Sequence, residues 1–282
     1  MYYLLLFILY PLSLLPLRFL YVLSDGMYLL LYYIIGYRKQ LVMDNLHNAF
    51  PLKTEQEIQI ICKKFYHNFC DQWTETLKLL SISEQELNRR IRGNWEVFHQ
   101  LHVEGRNTYA LLGHTFNWEW ANVACQYNCQ QQFAGVYMPQ KSKSADMLLN
   151  KIRSRSGAWL ISMKAKRGFE KLHNVQYIVG LIADQNPPVV KAATWYQFMN
   201  REAPFFNGPE VLAKRANAAV VFAGIKKIKR GHYEIRLERF THDAAILPKG
   251  EMMQAYVHFM EEQIKAQPEN WMWTHNRWKH NR

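Results

Sequence analysis

Residues 2–23 are almost wholly apolar, interrupted by Pro11, Ser13, Pro16 and Arg18, and after Ser24-Asp25-Gly26 a second apolar stretch covers residues 27–35. A helix needs about 20 apolar residues to cross a bilayer. The first stretch has that length but carries two prolines and an arginine, and the second has only nine residues. Both defects suit a membrane-embedded helix or hairpin, re-entrant or interfacial. The alternative, a buried helix of a soluble core, goes with shorter apolar runs. A signal peptide has a charged start and a small-residue cleavage site; neither is clear here, so the segment reads as a retained anchor over residues 1–37, followed by a body over 38–282. Arg38 and Lys39 follow at once, and the positive-inside bias then puts the body in the cytoplasm.

A hydrophobic content of 49% with 14% aromatics excludes a disordered chain. Thirty-five Lys and Arg against twenty-three Asp and Glu leave a net charge of +12, which favours anionic partners. A nucleic-acid reading rests on charge and aromatics alone: the recognised RNA- and DNA-binding signatures are missing, and the apolar start has no place in it. The cysteines, Cys62, Cys70, Cys125 and Cys129, match no zinc ribbon, redox pair or dense disulfide framework and read as reduced packing thiols. His99 and His102 with Glu96 make only a lone HxxH, and no metal site is expected.

The body alternates helix and strand. Thr54-Glu55-Gln56-Glu57 is a capping box, and Ile58, Ile61, Phe65, Phe69, Trp73, Leu77 and Leu80 recur every three or four residues, the apolar face of a helix of about seven turns. Ser83 and Glu86 repeat the box. Beyond Arg106, short apolar runs at 109–112, 133–138, 159–162, 177–183, 219–225 and 233–240 read as strands, with helices expected at 118–128, 145–155, 209–217 and 250–266. Such alternation predicts an α/β fold, a mostly parallel central sheet flanked by helices.

The stretch that points to chemistry is Leu111-Leu112-Gly113-His114-Thr115-Phe116-Asn117-Trp118-Glu119, a strand running into a loop and a helix start. On one continuous helix His114 and Glu119 would point about 140° apart. With His114 in the loop and Glu119 in the first turn they can meet, the geometry of a general base whose second nitrogen is held by a carboxylate. The helix N-terminus beside them suits a developing oxyanion. A bare HxxxxE also recurs by chance.

His114 to Glu119 resembles the HxxxxD/E motif of glycerolipid acyltransferases, and the surrounding chain resembles their bacterial late lipid A acyltransferase branch. Asn45-Leu46 with Phe50-Pro51, Ala183-Asp184-Gln185, Phe205-Phe206 before Gly208-Pro209, and the close Pro268-Glu269-Asn270-Trp271-Met272-Trp273-Thr274-His275-Asn276-Arg277-Trp278-Lys279 resemble further family segments in the family's order, with Asn270 standing where the pattern has Gln. The resemblance implies a glycerolphosphate-acyltransferase-like fold and transfer of a fatty acyl group from an acyl carrier protein thioester to a hydroxyl of a lipid A precursor, at the cytoplasmic face of the inner membrane. It implies His114 as base and Glu119 as its support, with no cofactor beyond the carrier's phosphopantetheine. The partners it implies are the carrier protein, an anionic lipid acceptor and the membrane. A lysophospholipid, glycolipid or aminolipid acceptor is the alternative.

Residues 141–171 hold the densest positive run: Lys141, Lys143, Lys151, Arg153, Arg155, Lys164, Lys166, Arg167 and Lys171. Arg forks bind phosphate bidentately. The resemblance puts active-site arginines at Arg153, Arg155 and Arg167. Asn117 and Asp184 are further candidates for holding substrate, Asp184 by orienting one of these arginines or, alternatively, serving as a cap.

Overall fold

The structure is a computed structural model that describes residues 1–165 and 167–280. Lys166 of the basic run and the last two residues of the 38–282 body lie outside the described residues.

The apolar opening forms two helices, α1 (Tyr2–Leu14) and α2 (Leu17–Leu29), the second continued by a wider helical turn over Leu30–Ile35. The chain breaks at Leu15, which is extended at φ −56° and ψ 142°, because the proline that follows disfavours the helical conformation. No break occurs at Ser24-Asp25-Gly26. There Ser24 donates to Asp71 at 2.8 Å and Asp25 pairs with Arg230 at 2.6 Å, so these polar residues form the inner face of α2 instead of a turn. The outer face is uncovered, with Phe7 79% and Ile34 77% exposed. Leu17–Ile35 is long and apolar enough to cross a membrane.

Next come α3 (Lys39–Ala49) and α4 (Glu55–Lys78). The Thr54 hydroxyl accepts from the Glu57 N–H, and the Glu57 carboxylate accepts from the Thr54 N–H at 2.8 Å, which completes the box. Ile58, Ile61, Phe65 and Phe69 are buried as their spacing requires, whereas Trp73 is 51% exposed. The reason is that the second half of α4 buries polar groups, Asn68, Asp71, Gln72 and Glu75 among them, against α2 and a strand hairpin. In α5 (Glu84–Arg90) Ser83 caps as expected, but Glu86 turns to Arg90 at 2.6 Å instead of back to Ser83.

The remaining elements are β1 (Ile91–Gly93), α6 (Glu96–Val103), β2 (Thr108–Leu112), α7 (Trp118–Asn128), β3 (Gln132–Tyr137), α8 (Lys143–Arg153), β4 (Trp159–Ser162), β5 (Tyr177–Ile182), β6 (Ala193–Phe198), β7 (Arg201–Phe206), α9 (Gly208–Arg215), β8 (Ala219–Lys229), β9 (His232–Thr241) and α10 (Glu251–Ala266). Among the described residues one seven-stranded sheet has the order β1-β9-β8-β2-β5-β3-β4, and β6 and β7 form a separate antiparallel pair. Strands β8, β2, β5, β3 and β4 are mutually parallel, and β9 runs antiparallel to β8. Because side chains alternate across a strand, Tyr109 and Leu111 join one core with Phe222 and Tyr256, while Ala110 joins the other with Val221 and Trp120. The mostly parallel, helix-flanked sheet read from the sequence is therefore the fold observed.

Candidate active site

In open parallel sheets, ligands bind beyond the carboxyl ends of the strands. Here β2 and β5 are parallel neighbours with Leu112 opposite Ile182, so two residues further on the chains carry His114 and Asp184 side by side. His114 Nδ1 lies 2.6 Å from Asp184 Oδ1, and the His114 backbone N–H donates to Asp184 Oδ2 at 2.7 Å. A third donor, the Trp271 indole N–H, reaches the same Oδ2 at 2.6 Å. Asp184 is fully buried, and burial by itself would raise its pKa. The charge of His114 and the hydrogen bonds from His114 and Trp271 outweigh that effect and hold the carboxyl below the usual range. Gly113 permits this approach: a Cβ there would lie 2.1 Å from the Met260 methyl and 3.0 Å from Asp184 Oδ2.

The carboxylate on His114 is thus Asp184's, where the sequence places Glu119 as the support of His114 and Asp184 among the residues that hold substrate. Glu119, five residues along and in the first turn of α7, faces α8. It accepts from Arg153 Nε at 2.9 Å and from Arg153 Nη2 at 2.5 Å, with the Trp118 indole N–H at 3.1 Å. Burial would lower the pKa of Arg153, but the hydrogen bond and charge of Glu119 overcome this and raise it.

Three other expected ligands are engaged elsewhere. Asn117 is fully buried: its Oδ1 caps α7 by accepting from the Trp120 N–H at 3.1 Å, and its Nδ2 donates to Glu75 at 2.7 Å. Arg155 donates to the carbonyls of Leu79 and Ile82, closing the end of α4. Arg167 is a surface residue, its side chain 84% exposed and 3.4 Å from Glu170.

The C-terminal segment packs along the His114 loop. Thr115 and Trp271 form an antiparallel bridge, Met272 N–H donates to the His114 carbonyl at 3.1 Å, and Asn270 Nδ2 donates to the Phe116 carbonyl at 2.9 Å. Trp271, Trp273 and Trp278 are buried, and each contributes at least the roughly 1.5–3 kcal/mol of a buried apolar side chain. Asn45 Nδ2 donates to the Trp273 carbonyl at 2.9 Å, and the buried Arg277 donates to Asn186 at 3.1 Å and to the Pro204 carbonyl at 2.9 Å. Burial drives the Arg277 pKa down to about 10 and that of His275 to about 4.

A cavity of about 710 Å³ opens beside His114, Trp118, Glu119 and Arg153 and continues over the sheet face past Ala110, Phe133 and Leu237. Its lining is mostly apolar, with a few convergent polar groups at one end, the usual makeup of a ligand site. Among the described residues no three His, Cys, Asp or Glu side chains are grouped as a metal site requires.

A histidine–aspartate pair at an apolar cavity, in a chain that also leaves an apolar helix pair uncovered, is equipment suited to lipid chains, and the class that combines it with this fold is the membrane acyltransferases. Residues 1–280 match the family model of the bacterial lipid A biosynthesis acyltransferases, and the chain belongs to that family. It is an acyltransferase, membrane-associated and acting on lipid-type substrates. A comparison with curated proteins found no match.

Proposed function

We propose that the protein transfers a fatty acyl group from an acyl carrier protein thioester to a hydroxyl of a lipid A precursor at the cytoplasmic face of the inner membrane, with residues 1–37 as the anchor and 38–282 as the catalytic unit. The observation that carries the reading is the His114–Asp184 pair at 2.6 Å beside the apolar cavity. With Nδ1 engaged by Asp184, Nε2 is left for the substrate. It takes the proton of the acceptor hydroxyl, and the resulting oxygen nucleophile attacks the thioester carbonyl carbon. The oxyanion collapses, the C–S bond breaks, and the leaving thiolate recovers the proton from His114. Asp184 keeps the imidazole in one tautomer and stabilises the imidazolium between the two transfers. The N-terminal end of α7 supplies a positive dipole for the oxyanion.

Arg153 and Glu119 line the same cavity, and the Arg153 fork is the group best suited to a phosphate of donor or acceptor. Lys141, Lys143, Lys164 and Arg167 are exposed on the segments after β3 and β4, a basic rim suited to an acidic carrier. The test is mass spectrometry of membranes containing the protein, supplied with carrier thioesters and a panel of lipid A precursors and lysolipids, beside the His114→Ala variant. A new ester on the precursor, absent in the variant, is the expected result. Acylation of lysolipids alone would move the acceptor, and no His114-dependent product with any pair would overturn the reading.

A further inference from the structure

Glu75 is a fully buried carboxyl on α4 that the chemistry above does not use. Its Oε1 accepts from the Tyr21 hydroxyl of α2 at 2.8 Å. Its Oε2 accepts from Asn117 Nδ2 and from the Tyr233 hydroxyl of β9, both at 2.7 Å. Its backbone carbonyl accepts from the Trp120 indole N–H at 2.8 Å. One side chain thus joins the apolar N-terminal helix pair to the residue that caps α7, three positions after His114. One turn earlier Asp71, also buried, ties the same α2 down through Ser24 and through Arg230, which pairs with Asp25.

Stability alone gives little reason for this arrangement, since burying a carboxyl costs more than its hydrogen bonds return, and apolar groups of the same shape are often at least as stable. The hydrogen bonds do fix direction. Asn117 has one amide group aimed two ways, Oδ1 at the α7 cap and Nδ2 at Glu75, so losing Glu75 frees the amide to rotate and with it the 114–119 loop. We propose that Glu75 is a positioning residue for acyl transfer, through which the membrane-side helix α2 holds the His114 loop in its working geometry. The inference rests on the acyl-transfer reading and names a role within that site.

The experiment compares Glu75→Gln, Glu75→Leu and Tyr21→Phe in the full-length, membrane-inserted protein. Glu75→Gln keeps an acceptor for Asn117 and should retain kcat within about threefold. Glu75→Leu should lower kcat by about 100-fold and Tyr21→Phe by about fivefold, with KM for both substrates within about twofold, because the base and not the binding cavity is disturbed. Amide hydrogen exchange gives a readout independent of activity: the N–H groups of Phe116 and Trp120, bonded to Asn270 and Asn117, should exchange at least tenfold faster in Glu75→Leu and measurably faster in Tyr21→Phe, while those of β3 stay unchanged. Wild-type kcat in Glu75→Leu, loop protection equal to wild type, or a Glu75→Gln variant as impaired as Glu75→Leu would each overturn the proposal. If Glu75→Leu does not fold, Tyr21→Phe decides, and unaltered loop exchange there refutes the link. Absence of turnover with every substrate pair refutes the acyl-transfer reading instead, and the exchange data still judge Glu75.

Discussion

Asp184 and Glu75 are both completely buried carboxyls, and burial pushes both toward the neutral form, yet their environments send them in opposite directions. Asp184 contacts a titratable imidazole and accepts from two further N–H donors, and its pKa falls. Around Glu75 burial dominates and the negative Asp71 adds to it; the charge of Lys227 and the hydrogen bonds from Tyr233 and Asn117 do not compensate, so the pKa rises. The contrast lies in the partners: Asp184 meets a titratable imidazole that favours its ionised form, whereas Glu75 is hydrogen-bonded to neutral donors and has the carboxylate of Asp71 nearby. One acid is equipped to stabilise an imidazolium, the other to hold neutral donors in place.

The largest expected effect tests the first half of that contrast. His114→Ala should cost about 10²–10⁴-fold in transfer rate, and Asp184→Asn, which leaves the packing and removes the charge, should cost about as much because the imidazole loses both its tautomer and its counter-charge. Steady-state rates with the cognate pair check this, and an Asp184→Asn enzyme within threefold of wild type would break the His114–Asp184 pairing as a functional unit. Glu119→Gln comes next. If Glu119 supported the base, its loss would equal that of Asp184→Asn; the expected loss is nearer tenfold and accompanies a fall in stability of about 3 kcal/mol, since an uncompensated Arg153 stays mostly buried. Thermal melting of Glu119→Gln beside the Glu119→Gln/Arg153→Met double variant separates the two effects, the double variant recovering stability but not rate.

Trp271→Phe removes one of the donors to the Asp184 carboxylate. Hydrogen bonds to charged groups are worth about 1.5–3 kcal/mol, so the Asp184 pKa should move up toward the ordinary range and kcat should fall by about tenfold, read from a pH–rate profile. The smallest effect is one of linkage. Folding lowers the His275 pKa from 6.5 to about 4, so between these values the unfolded chain binds more protons and stability rises with pH. Acidification from about pH 6.5 to 4 therefore destabilises the fold. Glu75, with its pKa raised, contributes with the opposite sign, so the useful comparison is wild type against His275→Gln, whose denaturation midpoint should depend less on pH across that window.

Much of the architecture was legible along the chain. The Thr54 box, the buried positions Ile58 to Phe69, six strands and the helices around 118–128 and 250–266 follow from local periodicity and capping, which are properties of neighbouring residues. β1 and the β6–β7 pair were not visible, since a three-residue strand and two strands containing Gln197, Arg201 and Glu202 show too little apolar pattern. Trp73 departs from the apolar stripe because the partner of α4 changes along its length from apolar to polar. At the site, His114 was evident from its loop, but Glu119 took the role of Asp184 because sequence nearness stood in for spatial nearness.

The sequence by itself determined that the chain has an apolar opening unlike ordinary surface, a helix-flanked parallel sheet and a histidine leaving a strand just before a helix, because these depend on residue type and on spacings of two, three or four. It also carried the family resemblance, through segments spread from Asn45 to Lys279. Only the tertiary structure decided which carboxylate holds His114. Strand register sets that choice, and β5, which arrives 70 residues after β2, is its immediate neighbour with Leu112 opposite Ile182. Only the tertiary structure, too, brought Glu75 against Tyr21, Asn117 and Tyr233, since no periodicity marks a meeting of residues from three separate elements and a helix cap at one buried point.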